Sequence, residues 1–304
     1  MITYLSHKEI DKQKWDNCIQ RSVNGMIYAY SWYLDIVSPD WEALVADDYE
    51  SVMPLTRRKK IGIHYLFPPF FTQQLGVFSV SKFNEDKIRE FIEAIPRKFS
   101  FFEINLNTFN KFSSMDMIIH PNLTHELDLI ESYENIRNAY SENLKRNLKK
   151  AASSELIIDK QIPPYLIIKM FRHNKGANFD NLKEADYQML EKLITTCLEK
   201  GRAQIWGVTT KDKRLCAGAF FVESNGKVIF LFSGANQVSR TNSAMPYLID
   251  RFIMENANRN LILDFEGSND LNLARFYKSF GSKECVYLQV KVNRLPWYAR
   301  LLKS

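Results

Sequence analysis

The sequence has few residues of the kinds that usually announce a site. Four cysteines and five histidines are scattered through 304 residues. Cys18, Cys197, Cys216 and Cys285 form no C-x-x-C pair and no Cys/His spacing suited to zinc. A disulfide scaffold and a zinc module are therefore excluded, and reduced thiols in a cytoplasmic protein without a metal are expected. No Ser/His/Asp or Cys/His arrangement signals a covalent enzyme intermediate. The opening residues, MITYLSHKEI, lack the basic start and apolar core of a secretory leader. Residues 61–81 carry no Asp, Glu, Lys or Arg and are long enough for a bilayer, but they include His64, Pro68, Pro69, Gln73 and Gln74. No membrane span is expected there. Low-complexity linkers and long heptad runs are also missing.

What is present describes a packed globular chain. The 21 Phe and 14 Tyr argue against disorder. The length allows one large domain or two of about 150 residues each. The net charge of +6 permits an anionic partner such as a nucleotide, CoA or RNA without requiring one. Nothing in it points to DNA.

Hydrophobic periodicity divides the chain into two halves with a common element order, roughly α-α-β-β-β-α-β-(α)-β. In the first half, helices are expected over 8–20, 31–36 and 84–95, and strands over 41–46, 51–57, 61–67, 101–106 and 123–130. In the second half, helices are expected over 164–174, 183–200, 243–257 and 271–280. Its strands are expected over 203–209, 215–222, 227–232, 261–266 and 283–292. Ser224-Asn225-Gly226 reads as a hairpin turn, and Gly281 stands where a helix C-terminal glycine belongs. The domains are placed at 1–135 and 136–304.

Three stretches can carry chemistry. In SENLKRNLKKAASS (141–154), Leu144 and Leu148 share one helical face and Lys145, Arg146, Lys149 and Lys150 surround it. This is either a solvated face or a phosphate contact. In FSGANQVSRTNSAMPYLIDRFI (232–253), a small polar loop leads from a strand to a helix start near Ser243. That start is either a plain N-cap or an anion site helped by Arg240. In LILDFEGSNDLNLARFYKSFG (261–281), Asp264 and Glu266 fall on one face at the end of a strand, and Asp270 and Ser268 can cap the next helix. The two acids are either salt-bridge partners of Arg275 or Lys278, or a general base for an amine. Tyr277 is either a core or rim aromatic or a proton donor.

The second half resembles the GNAT acyltransferase superfamily. SRTNSAMPYLI stands where that family has its phosphate-binding loop and helix, LILDFEGS where it has the next strand, and Asn272, Ala274, Tyr277 and Gly281 match the subsequent helix. The loop departs from the family pattern: Arg240-x-x-Ser243-Ala244 has Ser for Gly. The whole chain resembles the two-domain Fem-like branch more closely, on SVMPLTRRKKIGIHYLFPPFFTQQLGVFS, SENLKRNLKKA, GAFFVESNGKVIFLFSGAN and LDFEGS. The resemblance implies a mixed α/β protein (α+β) of tandem GNAT-like domains, each a central sheet flanked by helices. It implies an active site in the second domain and in the cleft between the two.

The implied activity is acyl transfer from acyl-CoA to an amine of a sugar or peptide acceptor in cell-envelope polymer synthesis. The alternatives are an aminoacyl-tRNA-dependent ligase and a non-catalytic module on the same fold. On this reading Glu266, with Asp264 as second choice, is the base, and Tyr277 protonates the leaving group. Arg240, Asn242, Ser243, Ala244 and Asn272 hold the donor. Lys145, Arg146 and Asn147 contact phosphate on donor or acceptor, and His64, Tyr65, Gln73 and Gln74 recognise the acceptor.

Overall fold

The computed structural model describes residues 1–60, 62–174, 182–267 and 269–295; Ser268, a capping candidate above, lies outside them. The chain forms two compact units. One comprises Met1–Leu123 together with the chain from Val286 onward, the other Thr124–Cys285.

The first unit contains β1 (Ile2–Leu5), α1 (Lys12–Arg21), α2 (Ser31–Val37), β2 (Glu42–Ala46), β3 (Ser51–Leu55), β4 (Arg57–Lys60), β5 (Ile63–Leu66), β6 (Phe78–Ser79), α3 (Glu85–Glu93), β7 (Phe99–Asn105) and the start of β8 (Ile118–Asp128). β1, β2, β3 and β6 form an antiparallel sheet. β4 pairs with β5, and β5 runs parallel to β7. Its core is built from Leu44, Met53, Leu66, Phe91, Phe99 and Phe102. Caps come from the sequence: Asp11 accepts the N–H groups of Gln13 and Lys14 to start α1, and Asn84 accepts that of Lys87 to start α3.

The second unit contains the rest of β8, then α4 (Tyr133–Asn138), α5 (Glu142–Ala152), β9 (Ile157–Asp159), α6 (Pro164–Asn174), α7 (Glu184–Glu199), β10 (Ala203–Thr209), β11 (Leu215–Ser224), β12 (Lys227–Ala235), α8 (Gln237–Asn242), α9 (Ala244–Asn256), β13 (Ile262–Gly267), α10 (Leu271–Lys278) and β14 (Lys283–Asn293). Beyond Cys285, β14 belongs to the first unit, where Gln289–Asn293 pair antiparallel with β7. The sheet of the second unit runs β9-β10-β11-β12-β13-β8, antiparallel except between β12 and β13.

Two features give this sheet its local shape. Gly207, Gly218 and Gly234 lie side by side across β10, β11 and β12. A Cβ on Gly234 would come within 2.6 Å of the Ile167 carbonyl, and one on Gly218 within 2.7 Å of the Ile167 side chain. The glycine row therefore lets α6 lie directly on the strands. The second feature is a bulge in β12: Phe220 faces Phe232 while Phe221 faces Phe230, leaving Leu231 as the extra residue. The bulge reverses the alternation, so Phe232 packs on Phe171 of α6 while Phe230 packs on Phe221 and Phe265 on the other face.

The hairpin reading at Asn225-Gly226 holds, with both residues at positive φ between β11 and β12. So does Gly281 after α10, at φ +81°. The polar loop expected before residue 243 is instead partly helical, as α8. β1 and β9 are short strands that periodicity did not reveal.

Candidate active site

β12 and β13 are hydrogen-bonded partners only over Lys227–Ile229 and Ile262–Asp264. Beyond that point β12 continues to Ala235 and β13 to Gly267, unpaired with each other. A cavity of about 400 Å³ opens at this parting. It is lined by Phe230, Ser233, Gly234 and Ala235 of β12, by Asn236, Gln237 and Arg240 at and in α8, and by Met245 of α9. Phe171 of α6 and Leu273, Phe276 and Tyr277 of α10 complete it. A pocket can touch helices from both faces of a sheet only where the sheet has a gap.

The acidic strand end sits beside this gap. Asp264 is buried and both of its oxygens are engaged. Thr124 Oγ1 donates to Oδ1 at 2.6 Å, the Glu266 N–H donates to Oδ1 at 2.9 Å, and Lys227 Nζ donates to Oδ2 at 3.3 Å. Lys227 Nζ also donates to Glu126 Oε1 at 2.5 Å. Burial lowers the Lys227 pKa, but Asp264 and Glu126 outweigh it and raise the ammonium above its usual value. Asp264 thus orders the strand end.

Glu266 is different. Its φ is +59°, in the left-handed region that a non-glycine residue seldom occupies in a strand, and it lies within the irregular β13–β8 pairing between Asp264 and Gly267. The bond from its N–H to Asp264 helps to hold that conformation. Its side chain is part-exposed.

Tyr277 is buried, stacked on Phe265 with ring centroids 5.0 Å apart. Burial raises its pKa, and the nearby charges of Glu266, then Asp264 and Asp270, raise it further. The phenol therefore ionises less readily than an ordinary tyrosine. Behind it lies His125, fully buried, its ring 5.9 Å from that of Tyr277. Burial lowers the His125 pKa, opposed by Glu284, whose Oε1 is 3.8 Å from Nε2.

Among the other anticipated residues, Arg240 lines the pocket from an exposed position. Asn242, Ser243 and Ala244 are buried. Ser243 adopts φ +59° and makes no side-chain cap. The Asn242 Oδ1 takes its place, accepting the Ala244 N–H at 3.1 Å, while Asn242 Nδ2 donates to Cys216 Sγ at 3.5 Å. Pro246 has no N–H, and the Tyr247 N–H closes onto the Ser243 carbonyl. The first turn of α9 is thus largely satisfied from within. Asn272 is exposed on the first turn of α10, its N–H accepted by Asp270, and is not among the pocket residues. On α5, Leu144, Leu148 and Ala151 are buried, Lys145 pairs with Glu142 at 3.0 Å, Arg146 is exposed and Asn147 part-exposed.

In the first unit, His64 and Tyr65 stand on β5 opposite Lys59 and Arg58. Gln74 is buried, donating to Gln73 Oε1 at 2.9 Å and accepting the Thr108 N–H at 3.1 Å. Gln73 is part-exposed and its carbonyl accepts from Asn105.

No protein-family model matches the sequence, and no curated protein matches it. Solved structures do. The chain superposes on FemX with a TM-score of 0.66 and 13% identity, covering 97% of this chain and 99% of that one.

The fold is that of FemX.

A conserved protein from Bacteroides thetaiotaomicron matches with a TM-score of 0.62, 11% identity and coverage of 96% and 99%. The structure of L-PGS from Bacillus licheniformis matches with 0.53, 11% identity and coverage of 96% and 95%. Within this Fem-like fold, sequence reasoning missed Thr124, Glu126, His125 and Lys227. The signal for the first two was present: in LTHELD, Thr124, Glu126 and Asp128 alternate onto one strand face. Lys227 read only as the first residue of a strand. Among the described residues, no cluster of His, Cys, Asp and Glu could hold a metal ion, and no helix is long and apolar enough to cross a membrane.

Proposed function

We propose that the chain transfers an activated acyl group to an amine, with the donor in the pocket where β12 and β13 part. The observation that carries this reading is the meeting, at one gap, of a neutral buried phenol and a strained glutamate held by an ordered acid. Past Ile229, alternate residues of β12 direct N–H and C=O groups toward the side without a β13 partner. An extended amide-bearing donor would pair with them as a strand does. Glu266 accepts the proton of the attacking amine, directly or through water. Tyr277 donates to the departing thiolate or alkoxide, and Asp264 with Lys227, Thr124 and Glu126 keeps Glu266 in place. Arg240 faces the donor's anionic end. The acceptor is an amine of a sugar or peptide, in the cell-envelope chemistry that the sequence resemblance suggests.

The donor of first choice is an acyl-CoA. A second reading, aminoacyl-tRNA, is favoured by the self-satisfied start of α9, which offers a diphosphate little backbone to rest on. The exposed Arg146, Lys149 and Lys150 of α5 are suited to an RNA backbone. Thermal unfolding with CoA, acetyl-CoA and deacylated tRNA separates the two. A ligand at 100 times its dissociation constant stabilises by about 2.7 kcal/mol. A rise with CoA species supports the first reading, a rise with tRNA alone the second. No rise with any of them counts against transfer from either donor.

A further inference from the structure

We infer that one end of the β4-β5-β7-β14 strands in the first unit is a docking surface for an anionic lipid bilayer. This surface lies wholly within the first unit and requires no transfer reaction.

Strand register gathers cations there from three separate segments. β4 ends in Lys59 and Lys60. Lys59 faces His64 of β5, and His64 faces Phe99, the first residue of β7. Arg97 and Lys98 immediately precede Phe99. On the other side of β7, Phe101 faces Asn293 at the end of β14, and the Arg294 N–H donates to the Ser100 carbonyl at 2.7 Å. Lys59, Lys60, Arg97 and Arg294 are exposed, and none of them is ion-paired among the described residues. Lys98 is engaged by Glu42 at 2.7 Å, and Arg57 by Asp40 and Glu42. The sequence from Ser51 to Asn84 contains no Asp or Glu, and PWYARLLKS, which follows Leu295, adds two cations and no acid.

Protection of a free edge accounts for only part of this charge. β4 is the last strand of its sheet, and lysines there keep an open edge from pairing with another chain. Arg97 precedes β7 and Arg294 is bonded across to it, and β7 already has β5 and β14 as neighbours. No edge needs guarding at those two positions. Like charges gathered at one place repel, and an anionic partner relieves the repulsion.

The kind of partner follows from the arrangement. Lys59 is opposite His64 and Lys60 is opposite Ile63, so successive lysines project to opposite faces of the hairpin. A partner that reaches both meets the strand ends head-on, as a flat surface does. An RNA strand lying along one face would reach only one of them. Ile63 and Tyr65 are part-exposed beside these cations and pack with Phe101 and Leu295. Apolar and aromatic groups next to lysines suit the headgroup boundary of a bilayer, where rings sit at the interface and ammonium groups meet phosphate.

The test is co-sedimentation of the full chain with vesicles of phosphatidylcholine alone or with about one-third phosphatidylglycerol, at low and high salt. Binding should require phosphatidylglycerol and disappear at high salt. Each cation at such a surface is worth about fivefold in partition, so Lys59→Gln with Lys60→Gln should weaken binding roughly 25-fold. Arg97→Gln with Arg294→Gln should do the same, and replaces the first pair if that pair does not fold. Lys149→Gln with Lys150→Gln removes the same charge from α5 and should leave vesicle binding unchanged. Equal weakening by the α5 pair would overturn the assignment, because binding would then follow net charge. Equal binding to both kinds of vesicle, or none to either, would also overturn it. A chain that binds tRNA through Lys59 and Lys60 but no vesicle would make this end an RNA surface instead. The CoA and acetyl-CoA arms of the unfolding experiment above test the donor pocket separately, so either reading can fail alone.

Discussion

At the scale of single residues, the two strand-end acids lie in different surroundings for a geometric reason. Asp264 points into the sheet and is fully hydrogen-bonded, whereas Glu266 sits one bulge further on, part-exposed and backbone-strained. Replacing Glu266 by Gln should lower turnover by about 10²-fold or more with no loss of thermal stability; unchanged turnover would exclude it as the base. The backbone makes a separate prediction. Glu266→Gly should be more stable than Glu266→Ala by about 1 kcal/mol, because only glycine occupies φ near +60° without cost. Equal denaturation midpoints for the two would mean that the left-handed conformation is not retained in solution. The acids on this strand were visible in the sequence. Their different surroundings were not, because these depend on Thr124 and Lys227, 140 and 37 residues away along the chain from Asp264.

At the scale of elements, the site depends on two strands that start paired and then part. Lys227 binds carboxylates on β8 and β13 just before the parting. Lys227→Met would leave Asp264 and Glu126 in a buried setting without their cation, and should destabilise the second unit by roughly 3–5 kcal/mol. Adding Asp264→Leu to that variant should recover part of the loss; a strictly additive double mutant would show that the pair is not coupled. The glycine row sets the other wall. Gly234→Ala would push α6 off β12 and should cost about 1–3 kcal/mol, read as a lower urea midpoint. The strands, their hairpin and α6 were all legible from periodicity and turn residues. α8 was not: the residues 237–242 are polar and small, and it takes Asn236 as a cap and a seat against β11 to make them helical.

At the scale of the whole molecule, pH acts on the second unit in two opposite senses. His125 is buried and its pKa is depressed, chiefly by burial and against the pull of Glu284; Lys278, Asp264 and Tyr277 also face it. In the unfolded chain it takes a proton near pH 6.5, which the folded chain resists. Its contribution is therefore complete above that pH and is lost as pH falls through the native value. Asp250 is the reverse. Burial raises its pKa against the hydrogen bond that Tyr133 donates to it at 2.8 Å. Its contribution is complete below about pH 4 and is lost as pH rises through the native value. His125→Leu should flatten the acidic limb of the stability curve below pH 6.5, and Asp250→Asn the limb above pH 4, both measured by urea denaturation at stepped pH. Connectivity gives a further expectation. Val290 of β14 lies in the core of the first unit and β14 pairs with β7. A fragment of residues 1–135 lacks that strand, so it should not give the dispersed amide spectrum of a folded domain; a well-dispersed spectrum would show that β14 is dispensable.

The sequence by itself determined the alternation of helix and strand, the caps and turns that bound them, the absence of metal and disulfide signatures, and the Fem-like resemblance that the fold shares. These are local properties, set by side-chain periodicity and by residues a few positions apart. Tertiary structure decided which acid is ordered and which is strained, that the start of α9 is closed by Asn242 and Pro246, and that the last strand returns to the first unit. It also decided that rings from α6, β12 and α10 line one opening. Those facts depend on strand register and on a single extra residue in β12. A one-residue shift in pairing exchanges the two faces of a strand, and no local pattern records which partner that strand will meet.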